Sequence, residues 1–171
     1  MKISAQEEYG LRCLLRLAKA ESGSATLPEV AAAEGLSVPY VAKLMSVLRQ
    51  AGILESVRGR SGGYKLAKTS ASIGLGSLLL ILGEPLFDEV DYCQKHAGTE
   101  APGGVCTNHS TCTLKSLWQT LEHWMRHVLD QITLADLIHD EGRVTELLRE
   151  RLALAAVEEQ PQLVALNLIS K

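Results

Sequence analysis

TLPEVAAAEGLSVPYVAKLMSVLRQAGILESVRGRSGGYKL, residues 26–66, sets the architecture of the N-terminal part of this chain. Thr26-Leu27-Pro28-Glu29 is a capping box with proline just inside the helix start, so a helix opens there, and Gly35 supplies its stop. Ser37 is a second N-cap, with Pro39 in the first turn of a helix running to about Gln50. Val41, Leu44, Met45 and Leu48 follow i, i+3, i+4, i+7 and form its inner face, which leaves Tyr40 and Lys43 facing out. Gly52 closes that helix. Ile53 to Val57 then suits a strand, Arg58-Gly59-Arg60-Ser61-Gly62-Gly63 a glycine-rich turn, and Tyr64-Lys65-Leu66 a returning strand. Upstream, residues 4–19 predict an amphipathic helix on Leu11, Leu14, Leu15 and Ala18, with Glu8, Arg12, Arg16 and Lys19 on the polar face. Cys13, beside the apolar stripe, reads as a buried core thiol. Two short helices, a recognition-length helix and a basic hairpin predict a mainly α fold, a winged helix-turn-helix domain with a small β-hairpin wing over residues 1–68.

The rest of the chain has another character. With 171 residues, 46% hydrophobic and 22% charged, it excludes disordered and collagen-like classes. Its longest uncharged stretch, Thr69 to Gly83, is shorter than the ~20 apolar residues of a bilayer span. Met1-Lys2 leads into Ser4, Gln6, Glu7 and Glu8 rather than an apolar run, so no secretory leader and no membrane association are expected, and the cytoplasm is the expected compartment. The sequence predicts a connecting helix and linker over 69–92, Ser72 capping a mostly apolar helix that ends at Gly83. Residues 84–112 show no period and contain a cysteine-rich loop, 93–112. From Leu114 the steps alternate four and three through Trp118, Leu121, Met125, Val128 and Ile132. This is a heptad seam on a long helix, flanked by Leu117 and Trp124, and it most simply packs against its own copy, making residues 113–141 a dimerisation unit. Thr133 and Asp136 start a short helix there, and 142–171 form a helical tail.

Charge is unevenly spread. Residues 1–70 carry 10 Lys/Arg against 6 Asp/Glu, a net of +4, whereas 71–171 carry 7 against 14, a net of −7. A basic head on an acidic body suits a polyanion-binding module. A recognition helix sets its first turn against base edges, here Ser37, Pro39 and Tyr40, with Lys43 one turn on. Arg58 and Arg60, with Gly59 and Ser61 between and beside them, suit a phosphate or a narrow minor groove. The rival is a helical protein–protein module with a surface hairpin. No catalytic constellation is present, so neither an enzyme nor a small-molecule substrate is expected.

Cys93, Cys106 and Cys112 are spaced C-x12-C-x5-C, with His109 between the last two. Three soft ligands in one irregular segment suit an iron–sulfur cluster or zinc, either of which takes four protein ligands. The fourth comes from His109, from elsewhere in the chain or from another subunit. The plainer reading is three unrelated thiols. His123 and His127, spaced i, i+4 on the long helix, read as a solvated or dimer-contact pair.

Ser37-Val38-Pro39-Tyr40, the run from Ser56 to Tyr64, Cys-x5-Cys before a Leu/Trp helix, and Ile132-Thr133-Leu134-Ala135-Asp136-Leu137 after it resemble the IscR/NsrR/RirA-type iron–sulfur winged helix-turn-helix transcriptional regulators. The likeness extends from Met1 to about Ile138. It implies a homodimeric repressor, or sometimes activator, gated by a [2Fe–2S] or [4Fe–4S] cluster. In several such regulators a non-cysteine residue of the first helix, given by the partner subunit, completes the cluster. Glu8 occupies that position, with Glu7 beside it and His109 as the rival ligand; otherwise Glu8 is a surface ion pair with Arg12. The chain departs from the family in its long Cys93–Cys106 spacing, in Arg12 where one [2Fe–2S] variant has histidine, and in Ala42 where some relatives have glutamate.

The expected function is thus a DNA-binding regulator, bound as a dimer to a palindromic operator. Its affinity responds to oxidation, nitrosylation or loss of a cluster held by Cys93, Cys106, Cys112 and Glu8 in trans. The rivals are a zinc- or thiol-based regulator of the same fold and an iron–sulfur electron-transfer or cluster-carrier protein.

Overall fold

The computed structural model describes residues 3–59, 62–85, 87, 89–98, 106, 108 and 111–158. Helix α1 (Ala5–Ala18) opens on a capping box in which the Glu7 amide donates to the Ser4 hydroxyl and the Ser4 amide to the Glu7 carboxylate. Helix α2 (Leu27–Glu34) repeats the device with Thr26 and Glu29. The Thr26 amide and hydroxyl hold the Glu29 carboxyl below the usual carboxylate range. Gly35 ends α2 at φ 66°, a left-handed conformation glycine adopts without a Cβ clash, and α3 (Val38–Gln50) starts at once on the Ser37 cap.

Strands β1 (Leu54–Val57) and β2 (Gly63–Leu66) pair antiparallel, Leu54 opposite Leu66 and Val57 opposite Gly63. A bridge ties this hairpin to the loop before α2. The Tyr64 amide donates to the Ala25 carbonyl at 2.9 Å, and the Ala25 amide to the Tyr64 carbonyl at 3.0 Å. Gly63 makes the approach possible, because a Cβ there would collide with the Ala25 carbonyl.

Cys13, Leu14 and Leu17 of α1, Val30 and Ala31 of α2, and Val41, Leu44, Met45 and Leu48 of α3 form one buried core. The α3 face is the one the sequence predicts. The α1 face is turned by about one residue: Cys13 and Leu17 sit at its centre, while Leu11, Leu15 and Ala18 are only partly buried.

Ser72 does not cap a helix. Its hydroxyl donates back to the Thr69 carbonyl, residues Ser70–Ser72 make a 3-10 turn, and α4 (Leu75–Leu82) begins on Gly74. The Leu75 amide donates to Ile132 and the Leu134 amide to Ile73, both at 2.8 Å, which clamps the start of α4 to the turn after the long helix. Leu78 and Leu82 join the core of the head. The irregular reading of residues 84–112 is corrected by α5 (Glu89–Lys95), whose seven residues are too few to show an apolar period.

Helix α6 (Thr113–Asp130) has 18 residues, about 27 Å at 1.5 Å per residue, and packs on α4 and on α7 (Glu141–Glu158). Between them the Thr133 amide and hydroxyl each donate to the Asp136 carboxylate at 2.8 Å, ahead of a 3-10 turn at Ala135–Leu137. Burial pushes the Asp136 carboxyl up, but the Thr133 donors and Arg151 of α7, 3.7 Å away, outweigh it and leave it below its ordinary value. Among the described residues no helix is long and apolar enough to cross a membrane.

Candidate functional site

Two sets of groups are candidates, one on the head and one around the cysteines. On the head, Ser37, Pro39 and Lys43 are exposed on the first turns of α3, and Arg58 and Gly59 are exposed at the wing tip. Arg60 and Ser61 lie outside the described residues. Tyr40 departs from expectation. It does not simply face out: it is half-buried, and its ring stands edge-on to Tyr9 of α1, centroids 6.1 Å apart at 85°.

Behind Tyr9 lies an ion-pair cluster. Arg12 sits 5.4 Å from the Tyr9 ring centroid, and its Nε donates to Glu34 at 2.8 Å; Arg16 reaches the other Glu34 oxygen at 3.3 Å. The hydrogen bond with Glu34 raises the Arg12 pKa further. Sequence reasoning missed Tyr9 and Glu34. The i, i+4 rule looks along one helix and offered Arg12 to Glu8, whereas the partner sits on α2.

All four cysteines are free. Cys13 is fully buried in the core, and burial first, then the Glu34 charge, push its thiol up to about 11, so it stays protonated and inert at neutral pH. Cys93 on α5, Cys106 and Cys112 are half-buried. Cys112 also starts a helix, because its Sγ is the N-cap of α6, accepting from the Lys115 amide at 3.4 Å at the positive end of the dipole. The Glu7 carboxylate is occupied by the Ser4 cap. Glu8 is exposed, and among the described residues no hydrogen bond or ion pair holds its carboxylate. His109 lies outside the described residues.

By donor chemistry, three thiols and a carboxylate suit iron–sulfur or zinc ligation. Among the described residues, however, no three His, Cys, Asp or Glu side chains are grouped to hold a metal ion within the single chain.

The seam of α6 divides. Leu114 (57% exposed), Trp118 (38%) and Leu121, with Leu117 and Trp124 alongside, form an exposed apolar face. Val128 and Ile132, expected in that seam, are buried within this chain, and Ile132 falls beyond the helix end. Met125 is half-buried and lines a cavity of about 630 Å³ between α1, α4 and α6. The two histidines separate as well: His123 is exposed, whereas the His127 Nε2 is buried with no hydrogen-bond partner among the described residues.

Residues 3–140 match the Rrf2 family model, described as an iron-dependent transcriptional regulator. The chain is 35% identical to the HTH-type transcriptional regulator IscR of Cereibacter sphaeroides over 146 residues, 84% of this chain and 90% of that protein. Among solved structures it is similar to T. potens IscR, with TM-score 0.61 and 33% identity over 81% of this chain and 86% of that one. It is likewise similar to CymR, the global cysteine regulator of B. subtilis, with TM-score 0.60 and 32% identity over 81% of this chain and 96% of that one. These relatives are regulators, not enzymes, and the match takes in the head, the cysteine segment and α6. The chain belongs to the Rrf2 family of winged-helix transcriptional regulators.

Proposed function

We propose that this regulator binds a palindromic operator as a homodimer and that an iron–sulfur cluster, [2Fe–2S] or [4Fe–4S], sets its affinity. Cys93, Cys106 and Cys112 hold the cluster, and Glu8 of the other copy completes it. The observation that carries the reading is the set of three unbridged, half-buried thiols in the segment that leads from α5 into the exposed apolar helix α6. The exposed Glu8 carboxylate supports its part in the ligand set, since Arg12, its neighbour one turn on, is engaged by Glu34.

A bound cluster supplies a centre sensitive to oxidation, nitrosylation and iron supply. The protein's part is mechanical. Ser37, Pro39, Tyr40 and Lys43 meet base edges and phosphates, while Arg58, Gly59, Arg60 and Ser61 hold the flanking backbone. Two heads grip a palindrome when their recognition helices stand about one DNA turn, ~34 Å, apart. Cys112 caps α6, and Glu8 lies on α1 of the head, so ligation at both ends links head placement to the state of the site. A bias of 1–3 kcal/mol in that placement changes affinity ~5–150-fold.

The test is anaerobic purification with visible absorption and iron and sulfide analysis, for the unaltered protein and for Cys106→Ala and Glu8→Ala. The expected result is a coloured protein with iron and sulfide in cluster ratio, lost in Cys106→Ala and labile in Glu8→Ala. Colourless protein with stoichiometric zinc, or full cluster retention in Cys106→Ala, contradicts the reading.

A further inference from the structure

We propose that Tyr9, Arg12 and Glu34 are positioning residues for the DNA-reading turn of α3, holding Tyr40 in place by an aromatic edge contact backed by a largely enclosed carboxylate. The proposal rests on α3 being the DNA-contacting helix.

Three observations converge on it. Glu34, the last residue of α2, has a side chain only 10% exposed, yet it accepts from two arginines of α1, Arg12 and Arg16. The Arg12 Nη2 also donates to the Glu34 carbonyl at 3.4 Å, so the guanidinium grips the very end of α2, where the chain turns at Gly35 toward α3. Held this way, Arg12 lies over Tyr9, and the Tyr9 ring stands perpendicular to that of Tyr40.

Tyr40 is the third residue of α3, its amide tied to the Ser37 cap at 3.4 Å, and Ser37 and Pro39 beside it are exposed. A shift of Tyr40 therefore moves the turn that meets base edges. Arg12 and Arg16 are both turned to Glu34, which assigns them to positioning Tyr9 rather than to the phosphates. The cluster acts on base discrimination and leaves the count of phosphate contacts unchanged.

The experiment compares binding to a duplex selected by the unaltered protein from a randomised pool with binding to random-sequence duplex, each over a range of salt. Tyr9→Ala is expected to weaken selected-duplex binding about threefold to tenfold, the range an aromatic pair supports, with the salt slope unchanged. Tyr9→Phe keeps the edge contact and is expected to restore binding to within about twofold. Glu34→Gln, which weakens the grip on Arg12, is expected to lower the selected-to-random ratio as Tyr9→Ala does. If Tyr9→Ala fails to fold, Glu34→Gln and Tyr9→Phe carry the comparison alone. Equal losses on both duplexes with a shallower salt slope make Arg12 a phosphate contact and overturn the proposal, as does an unchanged ratio in Glu34→Gln. Lys43→Ala and Arg58→Ala test the underlying reading separately: they lower the salt slope if α3 and the wing meet DNA, and leave it unchanged if they do not.

Discussion

Gly63 shows how one missing Cβ organises the wing, since Gly63→Ala sets a methyl group against the Ala25 carbonyl. Chemical denaturation is expected to find that variant destabilised by about 1–3 kcal/mol, with weakened duplex binding from a displaced wing. At Cys13 the expected effect is one of pH. Its thiol is raised from its ordinary 9.0 to about 11, so the folded state keeps a proton the unfolded chain releases. The stability this contributes is complete below pH 9 and is lost as pH rises toward 11. Unfolding free energies on either side of that window should show a smaller alkaline loss in Cys13→Val than in the unaltered protein. Residues whose partners lie nearby in sequence were legible, as with Thr26 and Ser37. Tyr9, Glu34 and Gly63 were not, because each is defined by contact with another element.

Among the elements, those with a cap and a periodic face could be read directly: α2 and α3 between their caps and glycine stops, and α6 from its Leu/Trp spacing. α5 could not, since seven residues carry no period, and α4 starts later than Ser72 suggests because its start is set by backbone bonds from Leu75 to Ile132 and from Leu134 to Ile73. The start of α6 makes Cys112 both cap and proposed ligand, and the two roles come apart by substitution. Cys112→Ala should cost about 0.5–1 kcal/mol of stability by losing the Lys115 contact, whereas Cys112→Ser keeps an oxygen acceptor and recovers most of it. Neither variant should retain iron. Equal stability in the two denies the cap, and iron retained in Cys112→Ala denies the ligand.

For the whole molecule, the sequence indicated which face of α6 is apolar but overstated its length. Val128 and Ile132 are drawn into the chain's own packing, leaving Leu114, Trp118 and Leu121 as the exposed part of the proposed dimer face. Sedimentation equilibrium is expected to find Trp118→Glu monomeric at concentrations where the unaltered protein is dimeric; an unchanged mass would remove that face from the interface. The cysteine site was legible as donor chemistry only, since spacing names thiols without saying whether they converge. Whether ligation governs DNA binding is decided by one titration of a selected duplex, performed anaerobically on the same preparation before and after iron is removed by chelation, with bound iron and sulfide quantified alongside. A change in affinity of at least about fivefold that tracks iron and sulfide content, and is absent in Cys106→Ala, is the result expected here; identical affinity with and without the cluster contradicts it.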